Sequence, residues 1–292
     1  MFNKTNRKDM KFKNAPQETM TELPDGFFYV GQDNYHIELL DDNSINSKNY
    51  LYSDSATSCI IIIVEGVNKD GHRIVALSHL SRPERFAAFF DVVADNFCGS
   101  VKVFAQGANP PEPSFSNGEI DYTSLRNEQL VIDWISANID MPSTPDKATR
   151  KWFISQSTLS VGMGNPQEDD RGCYGIDLTT MVVSNQRYEL SILDRDPTGG
   201  VQTLFCVFGL KVDPKIVLHK ATDSFTTDEI KRLVDQANEE NWTDILTMTP
   251  DEILDNYSST PEYEAPWFAE TLLGSALYVS IYNHENKKVC VL

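Results

Sequence analysis

The sequence predicts an α+β fold: a layered mixed or antiparallel β core flanked by helices, with a partly helical C-terminal extension. Three observations predict it. The run "CIIIIVEGV" from Cys59 is continuous and β-branched, the mark of a strand covered on both faces. The stretches "RPERFAAFFDVVADNF" and "SLRNEQLVIDWISANI" space their apolar residues as helices do. From about residue 211 the texture changes to charged, capped segments such as "TTDEIKRLVDQANEE".

Taken in order, residues 1–25 are polar and aperiodic and are expected to be a flexible leader. "GFFYVGQDNYHIELL" predicts one or two short strands broken at Gly31. "NSINSKNYLYSDSATS" is rich in Ser and Asn and reads as a loop. "CIIIIVEGV" and "HRIVALSHL" are antiparallel partners joined by "NKDG", which has turn chemistry. Pro83 suits the start of the first helix and Gly99 its end. "VKVFAQGA" is a strand that turns at Gly107, and "NPPEPSFSNG" is a loop. Ser124 is the expected cap of the second helix. "KWFISQSTLSVGMG", "YGIDLTTMVVSN" and "YELSILDR" read as further strands, and "NPQEDDRG" as an acidic turn. Beyond them Thr227 and Thr249 are expected N-caps, and the chain is expected to close with a helix and an end strand. The expected units are a leader at 1–25, a core at 26–210 and an extension at 211–292.

The net charge of −18, from 25 basic and 43 acidic residues, excludes the basic footprint that a nucleic-acid binder needs. It disfavours an anionic membrane surface and favours a basic patch on a partner protein. The five cysteines are widely spaced and contain no CxxC, so neither a zinc site nor a disulfide framework is legible. Reduced thiols in a cytosol are expected. No apolar span is long enough for a membrane helix, and no Sec-type h-region stands near the start. Cys290 lies one position too late for a prenylation box. "GMGNP" lacks the Lys and spacing of a phosphate loop and reads as a turn, and "EDDR" reads as a solvated turn.

Cys59 and His79 are the candidate chemistry. A thiol attacks as its thiolate, so a nucleophilic Cys needs a neighbouring base, and an imidazole suits the task. Cys59 opens one strand and His79 ends the next. A turn centred near Lys69–Asp70 pairs Cys59 with about residue 80, which places His79 within one position of Cys59's partner, on strands about 5 Å apart. The plain alternative is a buried hairpin with an inert Cys.

The order of these features resembles the glutamine deamidase superfamily. Its members include the chemotaxis receptor glutamine deamidases (CheD) and, on a related catalytic scaffold, the cytotoxic necrotizing factor and Burkholderia lethal factor toxins. "ATSC" ending at Cys59 is similar to the family's nucleophile motif, Ser53 stands where the family has a hydroxyl residue, and "ALSHLSRP" supplies His79. "VKVFAQGANP" and the Arg126-Asn127 pair that opens "RNEQLVIDWISANIDM" continue the likeness, which spans about residues 50–185. The chain departs from the pattern in having Ser for Thr at 53, no glycine beside Cys59, and "AQGA" after the third strand.

The resemblance implies a cysteine-dependent deamidation of a glutamine side chain on a protein substrate, with no metal or cofactor. Cys59 is then the nucleophile, His79 the base and Ser53 the residue that orients His79. Ser58 is a candidate substrate contact. Gln106 and Asn109 either line the pocket or are solvated loop residues. The toxin members suggest a bacterial effector delivered to a host cytosol without a signal peptide; otherwise the chain is cytoplasmic. Two rivals stand beside this reading. One is another Cys-His enzyme, a protease or transglutaminase, with His219 or His284 as base. The other is an inactive protein-binding module on the same fold.

Overall fold

The computed structural model describes residues 19–40, 48–110, 113–116, 118–139, 151–162 and 171–289. Most of the expected leader, most of the "GMGNP" and "EDDR" turns, and Cys290 lie outside the described residues.

In chain order the first strands are β1 (Thr19–Met20), β2 (Phe27–Tyr29), β3 (Asn34–Leu40), β4 (Tyr50–Ala56), β5 (Ile60–Val67) and β6 (Arg73–Leu80). Helix α1 (Pro83–Asn96) follows, then β7 (Cys98–Gly107), β8 (Ser114–Ser116), β9 (Glu119–Asp121) and α2 (Thr123–Asn138). Next come β10 (Trp152–Val161), β11 (Gly172–Asp177), β12 (Val182–Ser184) and β13 (Arg187–Tyr188). The remainder is α3 (Ile192–Arg195), α4 (Val201–Val212), β14 (His219–Lys220), α5 (Thr227–Glu239), α6 (Pro250–Tyr257) and α7 (Phe268–Val289), with short 3₁₀ turns at Trp242–Thr247 and Pro261–Tyr263.

The α+β class holds, and its layers follow from one strand. A mixed six-stranded sheet runs β10-β7-β5-β6-β3-β14, and a four-stranded sheet runs β12-β11-β4-β2. The isoleucines of β5 are fully buried, and they alternate between two cores. Ile60, Ile62 and Val64 pack with Phe86, Phe89 and Val93 of α1 and Val131 and Ile135 of α2. Ile61 and Ile63 face Leu51, Tyr174 and Ile176 of the second sheet. The order of layers is therefore helices, large sheet, small sheet. Each such isoleucine contributes about 2 kcal/mol by leaving water.

Several expected elements are corrected. The Ser/Asn-rich stretch from Tyr50 is strand β4, not a loop: Leu51 enters the inner core, while Tyr50 and Tyr52 join an outer aromatic cluster with Phe27 and Tyr188. Packing on both faces overrides weak propensity there. Met20, at the end of the expected leader, pairs with Tyr188. "YELSILDR" forms only the short β13, after which Ser191 and Asp194 close a capping box and start α3. The expected end strand is part of α7, because burial of Ala269, Leu272, Ala276 and Val279 follows helical spacing.

Helix α1 ends before Gly99, which lies within β7 at φ +66°. Ser124 does not cap α2; its hydroxyl donates to the Asn109 carbonyl at 3.2 Å, while Asp121 Oδ1 accepts the Thr123 N–H at 2.6 Å. Thr226, one residue before Thr227, caps α5 through a box with Glu229. Thr249 caps α6 with Glu252, as expected.

The C-terminal helices have their own core. Leu204 and Phe208 of α4 pack with Leu233, Trp242, Ile253 and Leu272. The expected boundary at residue 210 thus falls inside α4. Among the described residues no helix is long and apolar enough to cross a membrane.

Candidate active site

The β5–β6 hairpin decides where Cys59 and His79 point. Ile60 pairs with Leu80 and Ile61 with His79, around a loop at Asn68–His72. The loop is one residue longer than the sequence suggests, so His79 stands two positions from Cys59's partner rather than one. The difference matters because strand side chains alternate faces. A one-residue offset would separate the two groups; the two-residue offset places Cys59, Ile61 and His79 on one face, toward the second sheet. Cys59 and His79 line one cavity of about 700 Å³.

Strand β4 supplies the third group. Leu51 and Ser53 share its inner face, and Ser53 Oγ lies 3.0 Å from His79 Nδ1 in a fully buried contact. His79 Nε2 is buried and has no hydrogen-bond partner among the described residues. Leaving such an acceptor unmade costs about 1–3 kcal/mol, so the arrangement is not explained by stability. Burial pushes the imidazole down to about 3, so it is neutral near pH 7.

The Cys59 thiol moves the other way from the expectation that a catalytic Cys is acidic. Burial raises it well above the usual thiol range, and the nearby charges of Asp33 and Glu264 raise it further. The resting pair is a thiol and a neutral imidazole, not an ion pair.

The strand ends are held by buried polar groups. Asn127 Nδ2, from α2, donates to the Ser58 carbonyl at 2.8 Å and the Ser81 carbonyl at 3.1 Å, tying together the residues that flank the site. Asp33 N–H donates to the His79 carbonyl at 2.7 Å, and its carboxylate accepts the Ser81 hydroxyl and pairs with Arg85 at 3.6 Å. Gly107 of β7 lies against Cys59: a Cβ there would stand 2.2 Å from the Cys59 carbonyl oxygen.

The far wall comes from residues that the sequence reading did not single out. Tyr29, Asp54, Arg195, Cys206, Glu264 and Trp267 all line the cavity. Arg195 pairs with Asp54 and stacks over Trp267 at 3.8 Å, while Tyr29 OH donates to Asp54 at 3.1 Å. The Cys206 thiol donates to the Gln32 carbonyl at 3.1 Å. Asp54, beside Ser53 in "YSDS", had a local signal in its position; Arg195 and Glu264 had none, because they reach the site across the fold.

Ser58 lines the cavity, with its hydroxyl 2.8 Å from that of Ser259. Gln106 and Asn109 do not line it, which corrects their candidacy. Gln106 pairs with Ile61 and spends its side-chain oxygen on the Cys173 N–H at 2.7 Å. Asn109 is buried beneath α2. His219 sits on edge strand β14, stacked on Phe225 at 4.0 Å and away from the cavity lining. His284, on α7, is also absent from that lining. None of the four described cysteines, Cys59, Cys98, Cys173 and Cys206, is in a disulfide.

No family model matches the sequence, and a search of curated proteins finds no match.

Proposed function

We propose that the chain is a cysteine-dependent deamidase that hydrolyses a glutamine side-chain carboxamide on a target protein. The observation that carries the reading is His79: Nδ1 lies 3.0 Å from Ser53 Oγ, and Nε2 is buried without a partner among the described residues, on the same sheet face and cavity as Cys59. A base held at one nitrogen and open at the other is what nucleophile activation requires.

In this reading Nδ1–H donates to Ser53 and Nε2 keeps its lone pair. Because thiol and imidazole both rest neutral, His79 takes the Sγ proton as sulfur attacks the carboxamide carbon. Backbone N–H groups at the start of β5 stabilise the oxyanion. The imidazolium returns its proton to the nitrogen, the C–N bond breaks and ammonia leaves. Water, deprotonated by His79, then attacks the thioester; sulfur regains the proton and the side chain is released as glutamate. The acidic chain favours a target with a basic surface near its glutamine, inside its own or a host cytosol.

The test is quantitative mass spectrometry of glutamine-to-glutamate conversion in cell extracts treated with wild-type protein, Cys59→Ala or His79→Gln. Sites converted by the wild type alone support the reading. Extracts from several sources with no wild-type-dependent conversion would sink it and favour a binding module with an inert thiol.

A further inference from the structure

We infer that Glu264 makes the Cys59 site selective for a neutral primary carboxamide over a carboxylate, by accepting the carboxamide N–H and repelling a second negative charge. The inference rests on the deamidase reading and deepens it. Glu264 belongs to the C-terminal part of the chain yet lines the same cavity as Cys59 and His79. One contact of its own and one of its neighbouring segment hold it near the nucleophile. Thr57 Oγ1, two residues before Cys59, donates to Glu264 Oε1 at 3.4 Å. Ser259 Oγ lies 2.8 Å from Ser58 Oγ, next to Cys59.

The carboxylate is positioned, not loose. Oε1 also accepts from the hydroxyls of Ser258 and Thr260, and Arg171 donates to the Glu264 carbonyl at 2.7 Å. Its carboxyl stands in the wall of the cavity, where its charge helps keep Cys59 protonated; burial raises that carboxyl, and the hydroxyls of Ser258, Thr260 and Thr57 and the charge of Arg171 act against the rise and favour the ionised form. Glutamine and glutamate differ at one group: the amide nitrogen donates, while the product oxygen can only accept and carries charge. An acceptor-only carboxylate separates the two by attraction and repulsion together. Such a wall binds the substrate amide and expels the acid that the reaction forms.

Two small alkylating agents reproduce this difference without the natural target: iodoacetamide carries a primary carboxamide and iodoacetate a carboxylate. The rate of each at Cys59, mapped by mass spectrometry at one pH, is compared with the rate at Cys98 in wild type, Glu264→Gln and Glu264→Asp. Melting curves confirm that each variant folds. The expected result is an amide-to-acid rate ratio at Cys59 about tenfold above that at Cys98, the scale of one like charge a few ångströms away in a partly dehydrated site. Glu264→Gln brings the ratio close to the Cys98 value; Glu264→Asp, which keeps the charge, retains most of it. A ratio that Glu264→Gln leaves unchanged overturns the role of Glu264 while leaving Cys59 as nucleophile. A Cys59 inert to both reagents overturns the deamidase reading and this inference with it.

Discussion

His79 links the stability of the fold to the proposed chemistry. Its folded imidazole titrates near 3, below the ordinary 6.5, because it is buried. Between those values the unfolded chain binds the extra proton, so the residue's contribution is full above about pH 7 and is lost as pH falls. At pH 5.5 the loss relative to pH 8 is about 1.4 kcal/mol. Urea unfolding at the two pH values is expected to show this difference between wild type and His79→Gln, with the variant the less pH-dependent. Ser53→Ala removes the contact at Nδ1 and is expected to cost about 1–3 kcal/mol. It is also expected to lower conversion of any target glutamine at least as much as it lowers stability, measured at a temperature where the variant is fully folded. Cys59 and His79 were legible as a candidate pair from their spacing across a hairpin, and Ser53 only through the family resemblance. The raised thiol was not legible, since its burial, and after that the approach of Asp33 and Glu264 from other parts of the chain, are set by the assembled fold.

At the scale of elements, the site depends on register. The β-branched run and its partner strand were readable from composition, but the loop length between them was not, and one residue of loop decides which face each side chain takes. Gly107 fixes the other side of β5. Its φ of +132° is open to glycine, and any Cβ meets the Cys59 carbonyl oxygen. Gly107→Ala is expected to cost at least about 2 kcal/mol in chemical denaturation, from backbone strain plus the clash. It is also expected to change the alkylation rate at Cys59 while leaving Cys98 unaffected. Strand β4 was illegible as a strand because Ser53, Asp54 and Ser55 have weak strand preference; aromatic packing outside and core packing inside make it one.

At the scale of the whole molecule, the C-terminal helical part completes the cavity rather than standing apart. Arg195 joins Asp54 of β4 to Trp267 of the C-terminal segment, and both charged groups are buried. Removing one partner strands the other charge, so Arg195→Met is expected to destabilise by about 3–5 kcal/mol in thermal or urea unfolding. Adding Asp54→Asn is expected to restore a large part of that loss, since no unpaired charge then remains. Equal losses in the single and double variants would show that Arg195 acts by packing on Trp267 and not as a counter-ion.

What the sequence determined by itself was local: the α+β class, the β-branched hairpin, two amphipathic helices, a threonine cap, and a thiol and an imidazole on neighbouring strands. Periodicity, turn chemistry and spacing are properties of neighbours along the chain, and they can be read there. The tertiary structure alone decided that Ser53 meets His79, that Gln106 and Asn109 turn away, and that Glu264 and Arg195 wall the site. Those outcomes depend on register between strands and on contacts between residues far apart in sequence, where burial and charge are set by the assembled fold.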